Sequence, residues 1–247
     1  MSRVSGSFLD RLPPHERRRL SVLPGPEGLA RRRLDGEPLQ YLEGSAQFID
    51  FEVAVDSRVL IPRPETEGLF ELAVAAVGDP RLLVDLGTGS GVLAIALGRR
   101  FPDAAVHAVD ISPDAVELAR RNAVAVGVDV DFHAGDLYGA LPSDLSGSFD
   151  LIVSNPPYVA AGEWEQLPAD VRREPRTALV AGPLGTETLA RIADGARNWL
   201  SPTGVVVCEI GETQGAAVQG MFSQIGPAEV HADLAGRPRY VLARRPR

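Results

Sequence analysis

The amino-acid sequence predicts an α/β fold built on a seven-stranded, mostly parallel sheet with helices on both faces. Three observations predict it. From about residue 67 onward, short apolar runs alternate with stretches of helical spacing, the pattern of strands joined by crossover helices. Most of these runs, such as RLLVDL and GVVVCEI, are uniformly apolar, so both faces of each strand expect cover. Finally, Gly87, Gly89 and Gly91 form a tight turn between the first such strand and the helix that follows. With 247 residues, 45% hydrophobic and 23% charged, the chain can bury one sizeable core with a small appendage.

The elements follow in order. The residues ahead of Gly36 are rich in arginine and broken by Pro13, Pro14, Pro24 and Pro26; Pro13–Leu20 and Glu27–Leu34 predict two short helices. Their runs Arg17–Arg19 and Arg31–Arg33 read as solvated helix faces. Between Gly44 and Leu60, FIDFEVAV and RVL alternate roughly and predict a β-hairpin. Glu67–Val77 has helical spacing, RLLVDL is a strand, Val92–Arg100 a helix and AAVHAVD a second strand. Ser112 caps a helix that opens on Pro113 and runs to about Val126. DVDFHAGD and FDLIVSN are the third and fourth strands, Thr186–Leu200 a helix and GVVVCEI the fifth strand. A helix near Gln214–Ile225 precedes two closing strands, Glu229–Ala232 and Arg239–Ala243. This divides the chain into a helical segment (1–43), a hairpin linker (44–62) and a main domain (63–247).

Composition removes several function classes. All 25 basic residues are arginine, which excludes lysine nucleophiles, Schiff bases and a P-loop lysine. The net charge of −8 does not attract polyanions. One cysteine, Cys208, leaves no intramolecular disulfide and reads as a buried bystander in its apolar run. His15, His107, His133 and His231 share no ligand spacing, so no metal is expected. The N-terminus has no signal-peptide core and no apolar run reaches the roughly 18 residues of a membrane span, which predicts a cytoplasmic protein.

In open α/β sheets, ligands sit beyond the carboxyl ends of the strands. Asp85, Asp110, Asp136, Asn155 and Glu209 end five consecutive strands and predict one polar rim around a shared crevice. The glycine pattern in VDLGTGSG is GxGxG, not the dinucleotide GxGxxG. Asp85, just before it, would repel a pyrophosphate and attract an ammonium. Asp110, ending the second strand, can accept from both ribose hydroxyls. Asp136 can accept from an adenine amino group, and Leu137 can cover the ring. An adenosine with a cationic amino acid tail and no phosphates is S-adenosylmethionine.

VDLGTGSG, AVDIS, GD and NPPY together resemble a class I methyltransferase. GEPLQYLEG (Gly36–Gly44), LIPRPETE (Leu60–Glu67), VSNPPY (Val153–Tyr158), EPRTAL (Glu174–Leu179), EIG (Glu209–Gly211) and DLAG (Asp233–Gly236) narrow the resemblance to the HemK/PrmC protein-(glutamine-N5) methyltransferases. The resemblance implies a Rossmann-like class I methyltransferase fold and a cofactor site formed by Asp85, Gly87, Thr88, Gly89, Ser90, Gly91, Asp110, Ile111, Asp136, Leu137 and Asn155. It implies that Asn155, Pro156, Pro157 and Tyr158 bind the substrate glutamine, with Asn155, Pro156 and Tyr158 catalytic. The substrate implied is the GGQ glutamine of a peptide chain release factor. Members with that substrate carry a longer helical N-terminal domain than the proline-broken residues found here ahead of GEPLQY.

The chemistry of NPPY fits that implication. An amide nitrogen is a poor nucleophile because its lone pair is delocalised. A site that methylates it should hold both N–H groups with acceptors: the Asn155 side-chain oxygen and the Pro156 carbonyl can do so. Two prolines preset the carbonyl direction, and Tyr158 offers a flat wall for a planar amide. Arg63 and Glu65 in LIPRPETE are candidate contacts around the cofactor or substrate, or else form a local ion pair. Other readings stay open: an exocyclic amine of a nucleic-acid base as acceptor, a small amide-bearing metabolite, or a non-catalytic scaffold with this fold. The charge and the lack of a target-recognition domain weigh against nucleic acid.

Overall fold

A computed structural model describes residues 7–246. Three helices lead: α1 (Pro14–Ser21), α2 (Pro26–Leu34) and α3 (Leu39–Glu43), packed around Leu12, Leu20, Ala30, Leu39 and Leu42. Proline opens α1 and α2 at their first turns, where a missing N–H costs nothing. Four of the six arginines in these runs pair within this segment, Arg17 with Asp10 at 3.3 Å among them. Arg19 pairs with Glu43, Arg32 with Glu37 and Arg33 with Glu16, the last at 2.9 Å.

The hairpin follows as β1 (Ser45–Phe48) and β2 (Phe51–Ala54), antiparallel with Phe48 opposite Phe51. It is shorter than the sequence predicts. Ser57 and Arg58 form a turn and Val59 and Leu60 are not in a strand, because Asp56 takes both the Arg58 backbone N–H and its guanidinium.

The rest of the chain alternates. It runs α4 (Pro64–Ala76), β3 (Leu82–Leu86), α5 (Val92–Arg100), β4 (Ala105–Asp110), α6 (Pro113–Val126), β5 (Asp131–Ala134) and β6 (Phe149–Ser154). Then come β7 (Val159–Ala160), α7 (Arg176–Leu179), β8 (Val180–Gly182), α8 (Glu187–Trp199), β9 (Leu200–Glu209), α9 (Gly215–Phe222), β10 (Ala228–Ala232) and β11 (Pro238–Arg244). The α6 boundaries match their signals: Ser112 Oγ accepts from the Ala115 N–H at 3.2 Å, and Gly127, at φ +80°, ends the helix.

Seven strands form one sheet in the order β10-β11-β9-β6-β3-β4-β5. The neighbours from β9 to β5 are parallel, and β11 runs antiparallel to both β9 and β10. This is the expected seven-stranded, mostly parallel architecture. One apolar layer joins β1, β2, α4, α5 and α6 to one face; the other joins α8 and α9 to the opposite face. Leu83 and Val84, adjacent in β3, enter different layers, as the period of two requires. Cys208 is fully buried in β9, and burial pushes its thiol pKa up, away from reactivity.

The sequence reading missed α3, α7 and the small parallel pair β7–β8. Each is five residues or fewer, too short to display a period. What matters for function is that β3, β4, β5, β6 and β9 end along one edge of the sheet.

Candidate active site

The turn between β3 and α5 hangs from the end of β4. The Gly87 and Thr88 N–H groups both donate to the Val109 carbonyl, at 2.8 and 2.9 Å. The Gly89 N–H donates to Asp110 Oδ2 at 2.8 Å, and the Ser112 N–H to Asp110 Oδ1 at 2.9 Å. Gly87, Gly89 and Gly91 adopt φ of +77°, +54° and +88°, the left-handed region where a side chain is penalised. A Cβ at Gly87 or Gly89 would meet no atom within 4 Å, whereas one at Gly91 would meet Ala119 at 3.1 Å. The first two glycines therefore open onto free space and the third onto α6. From behind, Asn122 braces the turn. Its Nδ2 donates to the Ser90 carbonyl (2.9 Å) and the Ala54 carbonyl (3.0 Å), and its Oδ1 accepts from the Ala54 N–H. Asn122 was not singled out from the sequence; its partners lie 32 and 68 residues away.

That free space is a cavity of about 290 Å³. Gly87, Thr88, Gly89, Ser90, Asp110 and Ile111 line one side. Asp136 and Leu137 line it further along, Asp136 paired with Arg191 at 2.6 Å and Leu137 at φ +46°. Asn155, Pro156 and Pro157 line the other side with Thr66. Of the predicted residues, Asp85, Gly91, Tyr158, Arg63 and Glu65 do not line it.

Gly91 faces α6, and each of the other four has a definite place. Asp85 is fully buried; its Oδ2 accepts from the Thr88 hydroxyl at 2.6 Å and its Oδ1 has no partner. Burial, partly offset by Thr88, pushes its pKa up to about 7. Arg63 and Glu65 do not pair with each other. Arg63 bonds Glu174, whose other oxygen accepts from the Ile61 N–H at 2.9 Å, so Glu174 fastens LIPRPETE to EPRTAL. Glu65 lies 3.7 Å from Arg237. Tyr158 donates its hydroxyl to Glu209 Oε1 at 3.1 Å, and its carbonyl accepts from Gln214 Nε2 at 2.8 Å.

One network joins three distant segments. Asn155 Nδ2 donates to Thr66 Oγ1 at 3.0 Å, and Thr66 Oγ1 donates to Glu209 Oε2 at 3.1 Å. Thr66 is 2% exposed and Glu209 1%. Burial pushes the Glu209 pKa up to about 7, against the hydrogen bonds from Thr66 and Tyr158 and the nearby Arg239 charge. Burial also raises Asp110, and its two backbone N–H bonds oppose that.

The residues fit the adenosine-type ligand anticipated from the sequence. The cavity has an open glycine turn, a lining carboxylate, Asp110, whose oxygens each accept one backbone N–H and retain further acceptor capacity, and an apolar side chain, Leu137.

Comparison with known proteins places this geometry in context. The methyltransferase small domain family matches residues 69–173, which include both the glycine turn and NPPY. The chain is similar to a methyltransferase of Pyrococcus furiosus, with a TM-score of 0.59 at 19% identity over 79% of this chain and 89% of that one. It is also similar to a ribosomal protein L11 methylase of Lactobacillus delbrueckii subsp. bulgaricus (TM-score 0.55, 23% identity, 77% and 84% covered). At these identities the likeness speaks to fold. Sequence relatives go further. The release factor glutamine methyltransferase of Neisseria gonorrhoeae is 41% identical over 87% of this chain and 80% of its own length. That of Bordetella pertussis is 45% identical over 84% and 78%. By this similarity, and by the shared cavity that joins a glycine turn to NPPY, the chain belongs to the family of release factor glutamine methyltransferases.

Proposed function

We propose that this chain transfers a methyl group from S-adenosylmethionine to the side-chain amide nitrogen of a glutamine in a peptide chain release factor, at its GGQ motif. One observation carries the reading: the glycine turn with Asp110 and the Asn155–Pro157 segment line the same cavity, so donor and acceptor sites are contiguous.

When bound, S-adenosylmethionine supplies a methyl group activated by its sulfonium charge. Asp110 would hold the ribose hydroxyls, Gly87–Gly89 the amino acid end, and Asp136 and Leu137 the adenine. Asp85, buried behind Thr88, shapes this end through that hydroxyl rather than by lining the cavity. On the acceptor side, Asn155 Oδ1 and the Pro156 carbonyl accept the two amide N–H groups and aim the nitrogen. Tyr158 stiffens the segment through its bond to Glu209. No strong base is required beforehand, because the alkylated nitrogen is acidic and yields its proton to water. Catalysis is then positioning and preorganised electrostatics.

Residues 63–247 would form the catalytic domain, 44–62 its hairpin linker and 1–43 a helical segment. Among the described residues, no helix is long and apolar enough to cross a membrane. A release factor substrate places the reaction in the cytoplasm.

The test is direct. Purified protein, labelled S-adenosylmethionine and a release factor are combined, and mass spectrometry locates the label. Methylation of the GGQ glutamine is expected. Label on nucleic acid or a small amide, with none on protein, would discard the release factor reading.

A further inference from the structure

We propose that Glu209 and Thr66 are positioning residues that select a carboxamide: together they turn the Asn155 side chain so that its oxygen, not its nitrogen, faces the incoming substrate. The inference rests on the functional reading above and deepens it.

The argument is a count of protons. In its ionised form, which the hydrogen bonds from Thr66 and Tyr158 and the nearby Arg239 charge favour, Glu209 only accepts, and a threonine hydroxyl has one proton to give and lone pairs to receive with. Glu209 Oε2 lies 3.1 Å from Thr66 Oγ1, so the hydroxyl proton is committed there. Thr66 Oγ1 is then left as an acceptor. Its second partner, 3.0 Å away, must be the donor end of the Asn155 amide. The amide is planar, so Oδ1 points away from Thr66. Among the described residues nothing donates to Asn155 Oδ1, yet it is not among the buried atoms that lack a partner, so it stays open to a ligand. Asn155 lines the cavity, which gives that oxygen its role.

Glu209 does this for both substrate-side groups. Its other oxygen accepts the Tyr158 hydroxyl at 3.1 Å. One buried carboxylate at the end of β9 thereby orients the amide that follows β6 and the ring three residues beyond it. A cavity-facing oxygen pairs with the N–H groups of glutamine. Were the Asn155 amide reversed, it would present its own N–H groups and favour a carboxylate or carbonyl. A site built to accept an N–H rejects ligands that lack one, because its polar group is then left unpaired. The Glu209–Thr66 relay therefore helps to separate glutamine from glutamate.

Three variants test it: Glu209→Gln, which lets the residue donate to Thr66; Thr66→Val, which removes the hydroxyl without loss of volume; and Thr66→Ser, which keeps it. The chain has three asparagines, so selective 15N-asparagine labelling gives side-chain amide signals that are simple to assign. Those of Asn155 should move in Glu209→Gln and Thr66→Val. In both, kcat for methyl transfer should fall by about 10- to 100-fold, the range expected when a reacting group is misplaced. The Kd for S-adenosylhomocysteine should stay near that of the parent. Thr66→Ser should restore most of the rate lost in Thr66→Val. The proposal is overturned if the Asn155 signals are unmoved, if both kcat values match the parent, or if Thr66→Ser falls as far as Thr66→Val. Asn155 signals that respond in a chain that labels no release factor would uphold the relay and remove the substrate reading instead.

Discussion

The two sides of the cavity are built differently. The donor side is held mainly by backbone. Gly87 and Thr88 hang from the Val109 carbonyl, and Asp110 binds two backbone N–H groups. The acceptor side is held by side chains: Asn155, Thr66, Glu209 and Tyr158 form a chain of hydrogen bonds from three segments. Backbone bonds tolerate many side chains, so the donor side can be specified by glycines and one carboxylate. A side-chain network fails when any one member changes. Single substitutions should therefore damage transfer on the acceptor side without touching cofactor binding, and damage cofactor binding on the donor side.

The largest effect expected is Asn155→Ala. Loss of an acceptor aimed at the reacting amide should cut kcat by about 100-fold or more. The S-adenosylhomocysteine affinity measured by calorimetry should change little. A variant with full transfer activity would erase the distinction between the two sides.

Asp110→Ala comes next. Removing a charged acceptor for two ribose hydroxyls should weaken cofactor binding by about tenfold or more. It also strands the Gly89 and Ser112 N–H groups, so a lowered Tm should accompany it. Unchanged affinity would break the ribose assignment.

The smallest effect sharpens the comparison through pH. Burial raises the Asp85 pKa from 3.8 to about 7 in the folded chain. Between those values the folded state holds the proton more tightly than the unfolded one, so this group's contribution to stability falls as pH rises. Asp85→Asn removes that decline. Relative to the parent, its Tm should be higher at pH 8 than at pH 5, by a few degrees. An offset that is the same at both values would mean that Asp85 stays ionised in the fold. Thr88 and the Ala94 backbone oppose the rise, and the nearby Asp110 charge adds to it.

The same contrast explains what was legible in the sequence. The donor side is written contiguously: strand, glycine turn, helix, then a carboxylate at the next strand end. NPPY was legible for the same reason, as a polar, rigid segment ending an apolar strand. Asp85 was read as a ligand contact from its place before the turn. The strand's alternation does not reveal that the side chain lies under Thr88. Thr66 stood unnoticed just after two candidates, Arg63 and Glu65, that point elsewhere. Nothing local marks it, because its partners are 89 and 143 residues away. Glu174 is likewise defined by a bond spanning 113 residues. Spacing reveals groups that one element presents together; it is silent about buried polar pairs that only the folded sheet brings into contact.

The central claim is that a methyl donor and a glutamine amide share the cavity between the glycine turn and Asn155. A crystal structure with S-adenosylhomocysteine and a glutamine-containing peptide tests it most directly. The account predicts the ribose on Asp110 and the glutamine nitrogen within hydrogen-bonding distance of Asn155 Oδ1 and the Pro156 carbonyl. A nucleoside seated away from Asp110, or a glutamine side chain outside this cavity, would contradict it.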